Sequence, residues 1–346
     1  MKVVRHGKSS AELIGIKRDF FANNDALLAY QQKLAALYIQ QPPRLACMCC
    51  AAARSGRRFV KQGVEYWLCG RCGHCNGAHV DTDAYAERVY SADGGSEYAK
   101  FYSVVDRDAY TARMRAIYAP KVEFLAAALA SRGEDPTALL YRDFGAGSGY
   151  LVAAMRAAGL RATGVEVSQT QVDYGNDMIG ERVLVTQPAA DTVAQGAALD
   201  ADVVTMIGTL EHLQQPREFL RAVAKRSRVR YLMLSVPLFA PTVFLEMVFP
   251  RVMQRQLSGG HTHLYTSESL AFLAAELEIE PIAEWWFGTD LVDLYRSVLV
   301  ELQRSPDTAE MADLWTTTFT PMIDAMQLVI DQRSVASEVH VVYKLR

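Results

Sequence analysis

The sequence predicts an α/β fold, a mostly parallel sheet with helices on both faces, and three observations carry that expectation. From Ala138 onward, short apolar runs alternate with helical stretches at close spacing. A glycine-rich turn, Asp143-Phe144-Gly145-Ala146-Gly147-Ser148-Gly149, sits between the first such run and the first such helix. An acidic residue, Glu166, closes the second run.

The strands are expected at residues 139–144, 162–167, 183–186, 202–207 and 231–236. Helices at 150–158, 169–179 and around 217–224 fall between them. Such alternation implies parallel strands, because each helix crosses back over the sheet. The tail reads as a helix at 268–277, a strand at 281–287, helices at 291–302 and 311–330, and a closing strand at 338–345. Trp285, Trp286 and Phe287 are expected to pack on alternate faces of their strand. Residues 1–45 read as mostly helical. Leu27, Leu28, Leu34, Leu37 and Tyr38 recur at helical spacing until Pro42-Pro43 ends the pattern. Residues 84–130 also read as helical and carry Tyr85, Tyr90, Tyr98, Tyr102, Tyr110 and Tyr118.

The chain has 346 residues, half of them hydrophobic, with a net charge of −3. That length suits two units or one enlarged one, and the charge gives no general footprint for nucleic acid. The basic run Lys225-Arg226-Ser227-Arg228-Val229-Arg230 reads as a charged helix end before a strand. Pro237, Pro241 and Glu246 interrupt the apolar window 231–249. It reads as a buried strand running into an apolar loop, not as a membrane span. Residues 1–10 have charges but no apolar stretch behind them, so no signal peptide is expected and the location expected is cytoplasmic.

All six cysteines fall between Cys47 and Cys75. Clustered thiols without a secretory signal point to a reduced metal-binding module. Cys69-Gly70-Arg71-Cys72-Gly73 has the spacing of a zinc knuckle, and Cys47 with Cys50 makes a second C-x-x-C pair, with 18 residues between the pairs. Four thiolates give a closed tetrahedral site with a structural role. Cys49 is an alternative ligand, and Cys75, His74 and His79 offer other sets. The module also carries Arg44, Arg54, Arg57, Arg58, Lys61 and Arg71, so docking of RNA or a protein substrate stays open beside the staple or lid reading.

A glycine turn between strand and helix lets backbone N–H groups approach a ligand closely. Tyr150 stands where a dinucleotide fingerprint needs glycine, and no Lys-Ser/Thr pair follows for a phosphate loop. Glu166 lies 17 residues past Gly149, where a carboxylate can accept two hydrogen bonds from ribose hydroxyls.

On these residues the sequence resembles the class I S-adenosylmethionine (SAM)-dependent methyltransferases. Their first motif, acidic residue-x-G-x-G-x-G, matches Asp143 through Gly149, and their ribose acid matches Glu166 in Gly164-Val165-Glu166-Val167-Ser168. Met206-Ile207-Gly208-Thr209-Leu210-Glu211-His212-Leu213, Ser235-Val236-Pro237 and the segment from Gly260 to Leu270 resemble the subgroup that includes ubiquinone-biosynthesis O-methyltransferases. The likeness covers about residues 120–346. A cysteine-rich zinc module ahead of such a domain also resembles methyltransferases acting on nucleotide sugars or polysaccharides.

The resemblance implies a Rossmann-like, seven-stranded sheet and SAM as cofactor. Asp143, Gly145, Ala146, Gly147, Gly149, Glu166, Val167, Ile207 and Gly208 would hold the cofactor, with adenine contacts around 187–191. Expected units are an N-terminal helical segment 1–45, a zinc ribbon 46–80, a helical connector or lid 81–130 and a methyltransferase domain 131–346. The function expected is O-methylation of a small-molecule, sugar or glycan acceptor. RNA or protein modification, or cofactor binding without catalysis, are the alternatives.

An acceptor hydroxyl must lose a proton, and histidine is the usual base near neutral pH. His212 follows the fourth strand, while His261 and His263 follow the fifth. Alternation would point His261 and His263 in opposite directions, so at most one should face the acceptor. A second metal at these histidines lacks an acid at ligand spacing. Tyr102, Tyr110 and Arg113 are candidates to close over the cofactor from the N-terminal side.

Overall fold

A computed structural model describes residues 2–10, 14, 23–86, 88–89, 106–253, 255–257 and 261–345. Tyr90, Tyr98, Tyr102 and Gly260 lie outside the described residues.

The amino-terminal part holds β1 (Val3–His6), α1 (Asn24–Tyr38), β2 (Arg58–Lys61), β3 (Val64–Leu68), β4 (Cys75–Gly77) and α2 (Asp83–Ala86). A connector follows, with α3 (Arg107–Arg113), a π-helical turn (Met114–Tyr118) and α4 (Ala119–Ala130). The alternating region runs β5 (Leu140–Phe144), α5 (Tyr150–Ala157), β6 (Arg161–Glu166), α6 (Gln169–Ile179), β7 (Leu184–Thr186), α7 (Thr192–Ala197), β8 (Val203–Ile207), α8 (Pro216–Ala224) and β9 (Tyr231–Pro237). The tail holds α9 (Pro241–Val248), β10 (His263–Leu264), α10 (Ser267–Glu276), β11 (Glu280–Phe287), α11 (Asp290–Arg304), α12 (Met311–Phe319), α13 (Ile323–Gln332) and β12 (Glu338–Lys344).

The main sheet has the order β1-β11-β12-β9-β8-β5-β6-β7. Strands β5 to β9 pair in parallel, and β12 inserts antiparallel between β11 and β9. The chain moves outward from β5 to β6 and β7, then returns to place β8 on the other side. That reversal opens a crevice at the carboxyl ends of the strands, where open α/β sheets bind ligands. Every residue of β9 is buried, as expected of a central strand covered on both faces.

Both faces carry a core. Val122, Leu125, Leu129, Val152, Met155, Trp285 and Phe287 pack on one face. Phe144, Val204, Phe219, Leu232, Leu234, Leu270 and Trp286 pack on the other. Trp285 and Trp286 thus take opposite faces, as strand alternation requires.

Four expectations need correction. Among the described residues the sheet has eight strands, not seven, because β1 adds to β11 in parallel at the edge. Those residues fall in the segment read as mostly helical; a four-residue strand leaves too little periodicity to see. The loop expected after β9 contains α9, started by Pro241 at its first helical position. The single helix expected over 311–330 is two, divided by a 3-10 turn at Thr320–Met322, where Pro321 cannot supply a backbone N–H.

Candidate active site

The glycine turn emerges from β5 at the reversal point. Gly145, Gly147 and Gly149 all have positive φ, at 75°, 53° and 74°. A Cβ on Gly145 would stand 2.4 Å from Thr209 Cγ2, so a side chain there collides with the loop after β8. Gly149 has a different job. It caps α5, and a Cβ there would come within 2.7 Å of Leu184 Cδ1. Gly149 does not line the cavity described next; it lets the helix pack on β7.

A cavity of about 570 Å³ opens at the carboxyl edge of the sheet. Asp143, Gly145, Ala146, Gly147, Glu166, Val167, Ile207 and Gly208 all line it, as do Gln187, Ala189 and Asp191. Glu166 ends β6 with both oxygens held: Gly147 N–H donates to Oε2 at 2.8 Å, and Ser168 N–H to Oε1 at 3.1 Å. Asp143 is buried beneath the turn and accepts from Thr205 Oγ1 at 2.6 Å. Burial pushes its carboxyl up to about 7.

The cavity is also lined by Glu211, His212 and His261. The His212 and His261 rings lie 5.0 Å apart. His261 Nδ1 is 2.9 Å from the Gln256 carbonyl, which can only accept, so Nδ1 carries the hydrogen and Nε2 is the basic nitrogen. Burial lowers the His261 pKa, favouring the neutral ring. Glu211 is 3 % exposed, and burial pushes its carboxyl up to about 8.

His263 goes elsewhere. It starts β10, which pairs antiparallel with β4 of the cysteine module. Its side chain is fully buried, and Nδ1 lies 3.0 Å from His74 Nε2. The pair is split: His261, in the loop before β10, lines the cavity, and His263, in β10, does not. Tyr110 and Arg113 do not line it either. Tyr110 donates to the Ser148 carbonyl and stacks on Tyr150, and the Arg113 guanidinium sits 5.1 Å from the Tyr150 ring. Among the described residues, Tyr118, on the π-helical turn, is the connector tyrosine that lines the cavity.

Glu338 and Ser235 also line it, 3.1 Å apart through the Ser235 hydroxyl. Sequence reasoning missed Glu338 as a site residue. It starts the last strand, and only the insertion of β12 beside β9, with Glu338 opposite Pro237, brings it here. Thr205 was missed too; its place opposite Asp143 is set by the β5–β8 register.

The four thiols of Cys47, Cys50, Cys69 and Cys72 converge, all buried. Cys47 and Cys72 sulfurs lie 3.6 Å apart, and those of Cys50 and Cys69 3.5 Å apart. Zinc–thiolate bonds of about 2.3 Å in a tetrahedron separate sulfurs by roughly 3.8 Å. The donor set therefore fits that ion. Cys49 instead faces the Ser269 carbonyl, and His74 faces His263. Cys75 lies buried in β4.

The module is not free-standing. Strands β2, β3 and β4 are completed by β10, from beyond β9. Its four converged cysteines and Trp67 share the core of Leu270 and Leu273. Its basic residues are largely spent on internal partners: Arg44 on Asp81, Arg54 on Glu65, Lys61 on Glu246, and Arg71 against the Phe272 ring. That weakens a nucleic-acid docking face. Among the described residues, no helix is long and apolar enough to cross a membrane.

Residues 110–283 match the family model described as a methyltransferase domain. No curated protein matches the chain. Similar solved structures include one assigned as a sarcosine dimethylglycine methyltransferase from Galdieria sulphuraria. It is 14% identical, covers 74% of this chain and 98% of its own, and has a TM-score of 0.45. Magnesium protoporphyrin IX methyltransferase from Synechocystis PCC 6803, solved with bound SAH, is 17% identical. It covers 56% of this chain and 88% of its own, with a TM-score of 0.41. Coclaurine N-methyltransferase is 14% identical over 66% of this chain and 72% of its own, with a TM-score of 0.42.

Proposed function

The chain belongs to the methyltransferase-domain family, and on that premise we propose that it transfers a methyl group from SAM to an oxygen of a small-molecule, sugar or glycan acceptor. One observation carries the reading. The glycine turn, Glu166, His212 and His261 all line a single cavity.

The residues present fit the cofactor. Gly145 and Gly147 leave a backbone cradle that a side chain would fill, and Glu166 supplies a carboxylate at the ribose position. When bound, SAM supplies a methyl group on a sulfonium. Gly145, Ala146 and Gly147 would line its methionine and ribose, and Glu166 with Val167 would hold the ribose. Gln187 and Asp191 would flank adenine, and Ile207 and Gly208 the reacting carbon. Asp143 braces the turn from below through Thr205.

The chain's own part in the chemistry is alignment, exclusion of water and removal of one proton. His261 Nε2 is the best-placed acceptor for that proton, because Nδ1 is committed to Gln256. His212 stands beside it as the second candidate.

The four converged cysteines would hold a structural zinc ion. Its site is closed, so it would staple β2–β4 and β10 together and fix the loop carrying His261. The chain then divides into an N-terminal segment 1–45, a ribbon 46–80, a connector 81–130 and the methyltransferase domain 131–346. Reduced thiols suit a cytoplasmic location.

The test is transfer of radiolabelled methyl from SAM into fractionated cell extract, with wild type and Gly147→Arg compared. Label entering a polar small-molecule or glycan fraction with wild type alone supports the reading. Equal turnover by Gly147→Arg removes the cofactor site from this cavity.

A further inference from the structure

Glu211 and His212 are consecutive on the 3-10 turn Leu210–His212 that follows β8, and His261 faces them from the loop before β10. One ligand atom from each of the three lies within 4.8 Å of the others. The sequence offers no acid at ligand spacing to the two histidines. The fold supplies one by turning Glu211 inward beside its own neighbour.

Glu211 gives the independent observation. It is 3 % exposed, lines the cavity, and its Oε2 has no hydrogen-bond partner among the described residues. A buried carboxyl oxygen left without a partner is unfavourable, and a bound cation would satisfy it. Among the described residues, the Arg or Lys that lines the same cavity is Arg255, and it is already committed to Asp293 and Thr289. Gly208 keeps the approach open: even a Cβ there would stand 3.7 Å from Glu211 Oε1. His261 is oriented as metal-ligating histidines usually are, with one ring nitrogen bonded to a backbone carbonyl and the other left to bind.

We propose that Glu211, His212 and His261 form a second metal site, for a divalent first-row cation, inside the cavity. Two imidazoles and one carboxylate suit Mn²⁺, Fe²⁺, Co²⁺ or Zn²⁺ better than Mg²⁺, which prefers oxygen donors and keeps its waters. Three protein ligands leave coordination positions open, unlike the closed four-cysteine site. Those positions face the cavity that Ile207 and Gly208 also line. The site therefore selects acceptors that present an oxygen donor, a hydroxyl or carboxylate, to the ion. This last step rests on the proposed methyltransferase function; the metal site does not. With an ion bound, His212 and His261 would be ligands and could not take the acceptor proton; the ion would lower the pKa of an acceptor hydroxyl, whose proton would leave to water.

The test is Mn²⁺ binding to the full-length protein as purified, followed by electron paramagnetic resonance. Mn²⁺ is chosen because thiolate sites disfavour it. The wild type should bind one equivalent. Glu211→Gln and His261→Asn should each weaken that at least tenfold, with SAH affinity within twofold of wild type and unchanged thermal melts. If one variant fails to fold, the other carries the comparison. Absence of Mn²⁺ binding, or binding unaffected by both substitutions, overturns the site. Absence of SAH binding with Mn²⁺ binding intact would instead remove the methyltransferase reading and leave the metal site standing.

Discussion

The Gly147 N–H donates to Glu166 Oε2 at 2.8 Å, tying the turn after β5 to the acid that ends β6. With Ser168 N–H on the other oxygen, the carboxylate is aimed before any ligand arrives. Glu166→Gln keeps an acceptor for Gly147 but loses the charge and one acceptor. SAH affinity should fall roughly tenfold, about 1.4 kcal/mol, by titration calorimetry. An unchanged Kd would remove Glu166 from the ribose position.

Asp143 makes a pH signature. Its carboxyl titrates at 3.8 when unperturbed and at about 7 in the folded chain, because burial penalises the charge. Below about pH 4 both states hold the proton. Between there and about 7 the unfolded chain releases it while the folded chain keeps it, so this group's contribution to stability falls as pH rises. Asp143→Asn retains an acceptor for Thr205 and lacks this dependence. In urea unfolding, the variant should gain on wild type steadily between roughly pH 4 and pH 7. A pH-independent difference would show that Asp143 is ionised in both states.

Elemental analysis should find zinc that is lost on Cys69→Ser and retained on Cys49→Ser, since Cys69 joins the converged thiols and Cys49 does not. Cys69→Ser should also lower stability by several kcal/mol, because metal binding contributes to folding. Zinc lost with Cys49→Ser would reassign the ligands.

Ala51 occupies, after Cys50, the place that Gly73 occupies after Cys72. Both have positive φ, 56° and 75°, and both close a turn by donating to the carbonyl four residues back. An alanine there is strained by about 1 kcal/mol relative to glycine. Ala51→Gly should therefore raise stability, by up to about 1 kcal/mol, in chemical denaturation. A loss of stability would mean that the added backbone freedom of the unfolded chain outweighs the relieved strain.

What the sequence determined by itself is the local half of the molecule. The alternation of β5 to β9 with their helices, the glycine turn and Glu166 depend on near neighbours, so periodicity and glycine spacing reveal them. The two C-x-x-C turns are legible for the same reason. Tertiary structure alone decided the rest of the cavity lining. Glu338 reaches it because β12 inserts antiparallel beside β9, a pairing across about 100 residues. Glu211 reaches it because a 3-10 turn points it inward at buried cost. His261 and His263 are two residues apart, yet pairing of β10 with β4 places one in the cavity and the other against His74. Long-range pairings of this kind leave no periodic trace in the chain. The glycine turn and Glu166 are therefore written in near-neighbour patterns, and the lining by Glu338, Glu211 and His261 is assembled by topology.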